Sequence, residues 1–282
     1  MQLRPRPNVQ EVVPRLWPVF LVYGATFVGI VVVSLLAALV VHELYPELSP
    51  EAALQGLPGL VAGAVASSSV LAFAAFTATR PSQVVALRLL PGRERGVDLA
   101  AMIVGTLALG QALDSASMLI GLGQQGTMAM IRRALEGAAG PELFNAVIVI
   151  GVMAPAAEEI FFRGYMQGRL RARWAPWAAV GVTSACFGLL HLEWLHALLA
   201  FALGVYFGLL VEITGSALPA IACHVVNNVV FTVLTAVAGT VEAFRPNVVL
   251  LVLGLVVFIL CLAWLRRSLG AVAASLPPEP PE

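Results

Sequence analysis

The stretch of the chain from Ala154 to Arg173 places two adjacent carboxylates and an arginine in an apolar, helix-compatible run. The stretch reads APAAEEIFFRGYMQGRLRAR and contains Glu158, Glu159 and Arg163. Each charged side chain at membrane depth costs about 2.5 kcal/mol or more to insert, so a cluster of them in an apolar segment predicts a functional site. A carboxylate in such a cluster suits general-base chemistry, in which it removes a proton from an attacking water.

Spacing separates the roles of the two glutamates. Neighbouring residues on a helix point about 100° apart, so Glu158 and Glu159 cannot serve one point equally. Glu159 and Arg163 are four residues apart with the acid first, which is the favourable order for a helical ion pair. This spacing predicts a structural Glu159–Arg163 pair and leaves Glu158 as the free carboxylate. The alternative is that both glutamates are structural.

Two later segments each carry a pair of candidate site residues at helical spacing. FGLLH places Phe187 one turn before His191, and HVVNN places His224 one turn before Asn228. His224 and Asn228 can both donate hydrogen bonds, and two convergent donors stabilise the oxyanion of a tetrahedral intermediate. The alternative is interhelical hydrogen bonding, which such side chains provide in membrane bundles. No GxSxG, HExxH or glycine-rich phosphate loop is present in the sequence.

The composition predicts an integral membrane protein. Of the 282 residues, 60% are hydrophobic and 11% are charged, whereas soluble domains average about 45–50% apolar and about 25% charged. We expect a single transmembrane domain over residues 1–275, with the motif core at 154–231. The proline-rich tail, 276–282, is expected to be disordered. The net charge is zero, so no nucleic-acid partner is expected.

The pattern predicts an all-α, polytopic transmembrane helix bundle of about eight spans, because about 20 apolar residues suffice for one crossing. With a cytoplasmic N-terminus, 13 of the 16 arginines lie inside, and the outer loops hold only Arg132, Arg133 and Arg245. This asymmetry predicts that both termini are cytoplasmic. The expected spans are Trp17–Val41, Leu57–Thr79, Leu99–Leu122, Leu143–Leu170, Trp177–Trp194, His196–Val211, Ala217–Val237 and Val248–Leu265.

The helical rise predicts that the polar residues converge near mid-depth. At about 1.5 Å per residue, Glu158 lies roughly 18 Å and His191 roughly 21 Å from the inner boundary. On the same rise His224 and Asn228 lie at about 11 Å and 17 Å. The hydrocarbon core is about 30 Å thick, so we expect these groups to share one polar pocket. Asp114, in the third span, is an isolated acid with no evident partner.

The three motifs, EEIFFR (Glu158–Arg163), FGLLH (Phe187–His191) and HVVNN (His224–Asn228), resemble in order and spacing those of the CPBP intramembrane protease family. That family includes the type II CAAX prenyl endopeptidases and the bacterial ABI proteins. The resemblance covers residues 154–231 and leaves the first three spans without a recognisable motif. It implies an eight-helix bundle with a cavity inside the membrane.

The resemblance also implies roles for individual residues. Glu158 and His191 would activate water, and His224 and Asn228 would donate to the oxyanion, with Glu159, Arg163 and Phe187 in support. The substrate would be a membrane-anchored or lipidated protein or peptide, cleaved in the bacterial cytoplasmic membrane. No cofactor is expected. Zinc stays an alternative, since Glu158, His191 and His224 could hold it with water in the fourth position.

Two functions from other classes use the same residues. A non-enzymatic membrane scaffold or regulatory binding protein could keep the polar pocket without turnover. A proton-coupled transporter could use Glu158 and the histidines as a relay, although no inverted repeat is evident in the sequence. A peptidase that depends on Glu158 is the leading hypothesis, because three separate motifs supply the parts that hydrolysis needs.

Overall fold

A computed structural model describes residues 15–79 and 83–275 of the chain. All regular secondary structure in these two ranges is helical, which confirms the all-α prediction. The predicted disordered tail, 276–282, lies outside the described residues, and the predicted side of the termini stays a prediction.

The described residues form eleven helices in chain order, several of them long enough to cross a membrane. We label them α1 (Trp17–Leu44), α2 (Pro50–Gln55), α3 (Leu57–Ala78), α4 (Gln83–Ala86), α5 (Gly96–Leu119), α6 (Gly126–Leu135), α7 (Gly140–Arg171), α8 (Pro176–Leu189), α9 (Trp194–Thr214), α10 (Leu218–Ala238) and α11 (Phe244–Ser275).

The fifth predicted span is shorter than expected. Within the described ranges, seven helices have the length and apolar composition of a membrane crossing, and α8 is a shorter apolar helix. Its 14 residues rise about 21 Å, which is less than the hydrocarbon thickness of about 30 Å. The sequence-based range Trp177–Trp194 was too long because the helix ends at Leu189 and the chain turns at Leu190 to Glu193.

The long helix α7 is irregular around a proline in its middle. Pro155 has no N–H to donate, and its ring clashes with the carbonyl four residues earlier. The helix takes up this disturbance in two π-helical segments, Val147–Met153 and Ile160–Gln167, on either side of Ala154–Glu159. Such π segments occur frequently at functional sites. All residues from Phe161 to Gln167 are buried, so other helices surround this part of α7.

The short helix α6 packs against the turn between α8 and α9. A Cβ atom on Gly126 would lie 3.1 Å from the carboxyl carbon of Glu193 in that turn. From the same helix, the buried Arg132 donates to Asp114 and to the carbonyl of Gly123. The prediction that Asp114 lacks a partner was therefore wrong, because its partner comes from a segment outside the apolar spans.

Candidate functional site

A buried carboxylate joins the first and third motifs. One oxygen of Glu159, Oε1, accepts a hydrogen bond from Arg163 Nη1 at 3.0 Å and from His224 Nδ1 at 2.9 Å. The predicted Glu159–Arg163 ion pair is present, and both of its side chains are fully buried. The contact with His224 was not predicted. Glu159 therefore orients an imidazole as well as balancing an arginine.

The guanidinium of Arg163 is held by a second helix and by an aromatic ring. Its Nη2 donates to the carbonyl oxygen of Gly204 in α9 at 2.9 Å. Its Cζ lies 4.6 Å from the ring centroid of Phe187, a cation–π arrangement. A Cβ on Gly204 would lie 2.8 Å from Arg163 Nη2 and 3.1 Å from Phe187 Cδ1. Only glycine at this position leaves room for the arginine.

We therefore expect Gly204→Ala to displace the Arg163 guanidinium and to destabilise the protein by about 1–3 kcal/mol, the usual cost of overpacking. A control is Gly181→Ala in α8, where a Cβ would meet no heavy atom within 4 Å. This change should leave stability unchanged or raise it by up to about 1 kcal/mol, because alanine is the better helix former. Equilibrium unfolding in mixed micelles compares the two variants. Equal effects would contradict the steric role of Gly204.

Glu158 lies on the other side of His224. Its Oε2 is 3.9 Å from His224 Nε2, and its side chain is 18% exposed, whereas that of Glu159 is fully buried. Because a carboxylate only accepts, His224 Nδ1 is the donor toward Glu159. A neutral His224 then presents a lone pair at Nε2, and only the doubly protonated ring can donate from that atom. The more accessible Glu158 is the carboxylate that can meet a water.

His191 lies in the turn that follows α8 rather than on a helix. Its Nδ1 donates to the carbonyl oxygen of Phe187 at 3.0 Å, so the neutral ring carries its lone pair at Nε2. Its ring centroid is 5.0 Å from that of Phe187 and 4.2 Å from that of His196. Glu193 accepts from the N–H groups of Leu195 and His196. The contacts with Phe187 and His196 fix the position of the His191 ring, and sequence analysis identified only the one with Phe187.

The ring of Phe187 links the two histidines. Its centroid lies 5.0 Å from that of His191 and 5.9 Å from that of His224, in both cases edge to face. On the opposite side, the ring of Phe207 lies 4.9 Å from His224. Phe187 thus contacts both imidazoles and Arg163, which explains why a large ring occupies that position.

Asn228 lies one turn beyond His224 and bonds to the first half of α7. Its Nδ2 donates to the carbonyl oxygen of Ile150 at 3.4 Å, and its Oδ1 accepts from Asn227 Nδ2 at 3.3 Å. The structure therefore brings Glu158, Glu159, Arg163 and His224 into direct contact. His191 joins them through Phe187, and Asn228 joins through α10.

No group of three or more His, Cys, Asp or Glu side chains within 15–79 and 83–269 is arranged to hold a metal ion. His224 Nδ1 and His191 Nδ1 are both donors to protein oxygens. These Nδ1 contacts do not argue against the alternative zinc set of Glu158, His191 and His224, because a histidine that ligates a metal through one ring nitrogen usually donates from the other.

Sequence analysis missed three residues that extend the Arg163–Gly204 contact. Gln167 and Glu212 are polar, and Gly208 supplies a backbone carbonyl, as the hydrogen bonds between α7 and α9 show. A signal was present, because α7 carries polar residues four apart at 163, 167 and 171. Helix α9 carries Gly, Gly and Glu at the same interval, at 204, 208 and 212.

These features define an integral membrane protein of the helical type with an acid–imidazole cluster inside its bundle. Residues 140–230 match the model of a family described as type II CAAX prenyl endopeptidase Rce1-like. The match covers all three motifs and confirms the resemblance to the CPBP family over this segment. It implies an intramembrane protease of the CAAX type. No curated protein and no solved structure matches the chain significantly.

Proposed function

We propose that the chain is an intramembrane endopeptidase in which Glu158 is the general base. One observation carries the proposal: Glu158 Oε2 lies 3.9 Å from His224 Nε2, while Glu159, which is paired with Arg163, accepts a hydrogen bond from Nδ1 of the same imidazole. The buried Glu159–Arg163 pair orients His224 and leaves Glu158 as an accessible carboxylate beside it. A purely structural ion pair would not need this second carboxylate, whereas hydrolysis does. The family match to type II CAAX prenyl endopeptidases supports the same reaction.

In this mechanism Glu158 and His191 activate a water molecule. The Glu158 carboxylate accepts a proton from the water, and His191 accepts a hydrogen bond from it at Nε2, the atom left free by the contact with Phe187. The water oxygen then bonds to the carbonyl carbon of the scissile peptide. The carbonyl π electrons move to oxygen, which produces a tetrahedral oxyanion.

His224 and Asn228 are the donors proposed for that oxyanion. Asn228 has a suitable amide because its Nδ2 carries two hydrogens, and the contact with the Ile150 carbonyl uses one of them. His224 can donate from Nε2 when the ring carries both protons. Collapse of the intermediate breaks the C–N bond, and Glu158 returns its proton to the leaving amine.

The proposed substrate is a protein or peptide held at the membrane by a lipid or an apolar segment. The match to prenyl endopeptidases supports a prenylated anchor, and the apolar helices of the bundle support a substrate that is itself held in the bilayer. The proposed location is the bacterial cytoplasmic membrane. We propose no metal cofactor, since the described residues contain no group of three His, Cys, Asp or Glu side chains arranged to hold one.

Purified protein in liposomes provides the test, with two quenched-fluorescence peptides, one farnesylated and one anchored by a transmembrane segment. We expect cleavage of at least one peptide, with the cut bond located by mass spectrometry. Activity should persist after exhaustive treatment with EDTA and phenanthroline, because no step passes through a metal. The unanchored peptide of the same sequence is the control and should be cleaved poorly.

Two results would argue against this proposal. Loss of activity on chelation, with recovery on adding zinc, would support the metal-dependent alternative. No cleavage of either anchored peptide, together with a cellular phenotype that survives Glu158→Gln, would support the scaffold alternative instead.

A further inference from the structure

Helices α7 and α9 are joined by a regular series of polar contacts. Arg163 Nη2 donates to the carbonyl oxygen of Gly204 at 2.9 Å. One turn later, Gln167 Nε2 donates to the carbonyl oxygen of Gly208 at 3.0 Å. A further turn along, Arg171 Nε donates to Glu212 Oε2 at 2.7 Å. We call these contacts, which repeat every four residues on two parallel helices, the α7–α9 ladder.

The glycines make the ladder possible and sensitive to register. A Cβ on Gly208 would lie 2.9 Å from Val180 Cγ1 and 3.1 Å from Gln167 Oε1. Small residues of this kind let helices approach closely in membranes. Because long side chains from α7 reach backbone carbonyls on α9, a shift along the axis breaks all contacts of the ladder together. The first of these contacts is the one that holds Arg163, and through it Glu159 and His224.

Glu212 is the junction at the far end of the ladder. Its Oε1 accepts from Gln167 Nε2 at 2.8 Å and lies 3.6 Å from Arg88 Nη1. The carboxylate therefore faces two arginines, Arg88 and Arg171, and one amide, and its side chain is only 14% exposed. Within the described residues it bridges α7, α9 and the segment that follows α4.

The segment around Arg88 is itself held against the same end of the bundle. Arg88 adopts a left-handed backbone conformation, with φ of 54°. Its carbonyl oxygen accepts from the N–H of Ala217 at 2.9 Å. The preceding residue, Leu87, is fully buried, and its carbonyl oxygen lies 2.7 Å from where a Cβ on Gly164 would be. Glu212 thus ties this segment to the part of α7 that carries the site.

We propose that Glu212 is a positioning residue for the active site, acting through the α7–α9 ladder. This inference rests on the proposed function. The Glu212 carboxylate holds Gln167 and Arg171, and these two contacts set the axial register of α7 relative to α9. This register allows the Arg163 guanidinium to donate to the Gly204 carbonyl, so that Glu159 keeps His224 oriented toward Glu158. Without the carboxylate, the charges of Arg88 and Arg171 face each other uncompensated, and the two ends of the ladder separate.

The test compares Glu212→Gln with Glu212→Asp and with Asp114→Asn. The last change removes an acid from another ion pair, that of Arg132, which lies outside the ladder. We measure kcat and KM on the anchored peptide in liposomes. The protein is also labelled with ¹⁵N at its four histidines, because imidazole ¹⁵N shifts report which nitrogen carries the proton.

We expect Glu212→Gln to lower kcat by about 10- to 100-fold with little change in KM, since small misplacement of reacting groups has effects of this size. The His224 signals should move away from the Nδ1-protonated pattern. Glu212→Asp should recover part of both readouts, and Asp114→Asn should change neither. If Glu212→Gln does not fold, Gln167→Met breaks the middle contact and should act in the same direction.

Wild-type kcat and wild-type His224 signals in Glu212→Gln would overturn the inference. An equal loss of kcat in Asp114→Asn would also overturn it, because the effect would then be general loosening of the bundle. If wild-type protein cleaves no peptide, the proposed function fails on its own. The His224 signals of Glu212→Gln then decide independently whether Glu212 positions the imidazole.

Discussion

Glu158→Gln is expected to abolish most of the peptidase activity, with kcat falling by about 10²- to 10⁴-fold, the range that general acid–base catalysis contributes. Glutamine has the same shape and keeps a carbonyl oxygen near His224, but it cannot accept the proton of the water. The Glu158 side chain is partly exposed and 3.9 Å from His224 Nε2, so the substitution should leave the fold and KM nearly unchanged. Progress curves in liposomes measure the effect.

Glu142→Gln is the matched control for this prediction. Glu142 is an exposed glutamate in the first turn of the same helix, α7, away from the cluster of Glu158 and His224. The Glu142→Gln variant should retain the wild-type kcat. Full activity in Glu158→Gln would contradict the role of Glu158 as the general base. A different carboxylate would then have to activate the water.

Arg163→Met is expected to have the largest effect on stability, a loss of about 3–5 kcal/mol, as when one partner of a buried ion pair is removed. Arg163 is fully buried, and its guanidinium contacts the Glu159 carboxylate, the Gly204 carbonyl and the Phe187 ring. Without it, Glu159 keeps a buried negative charge with only the imidazole of His224 as a donor. Equilibrium unfolding in mixed micelles measures the loss.

The double variant Glu159→Gln/Arg163→Met makes this prediction sharper. Removing both charges leaves no isolated carboxylate, so we expect it to recover a large part of the stability lost by Arg163→Met alone. Arg133→Met, at an exposed arginine in α6, is the control and should stay within about 0.5 kcal/mol of wild type. A double variant as unstable as the single one would mean that packing around Arg163, rather than its charge, is what matters.

The order of the spans could be predicted from the sequence because apolar length is a local property. The helices α1, α3, α5, α7, α9 and α10 begin and end within a few residues of the predicted limits. The fifth span was predicted too long, because the helix ends at Leu189 and the chain turns at Leu190 to Glu193. Only tertiary structure decides that the helix ends there, where α6 packs against the turn.

The Glu159–Arg163 pair was predictable for the same reason, since residues four apart on one helix meet whatever surrounds them. The second hydrogen-bond donor to Glu159 was not predictable from the sequence, because the contact with His224 depends on how α10 packs against α7. The partner of Asp114 came from a segment that composition did not mark as part of the bundle.

By itself, the sequence determined the class of the protein, the helical periodicity and the identity of the polar side chains, because each of these depends on composition or on short spacing. The tertiary structure alone decided the register between helices. It set Glu158 beside His224 and lined up α7 with α9 from Gly204 to Glu212. Register depends on the simultaneous fit of side chains from distant segments, and no short stretch of sequence contains that information.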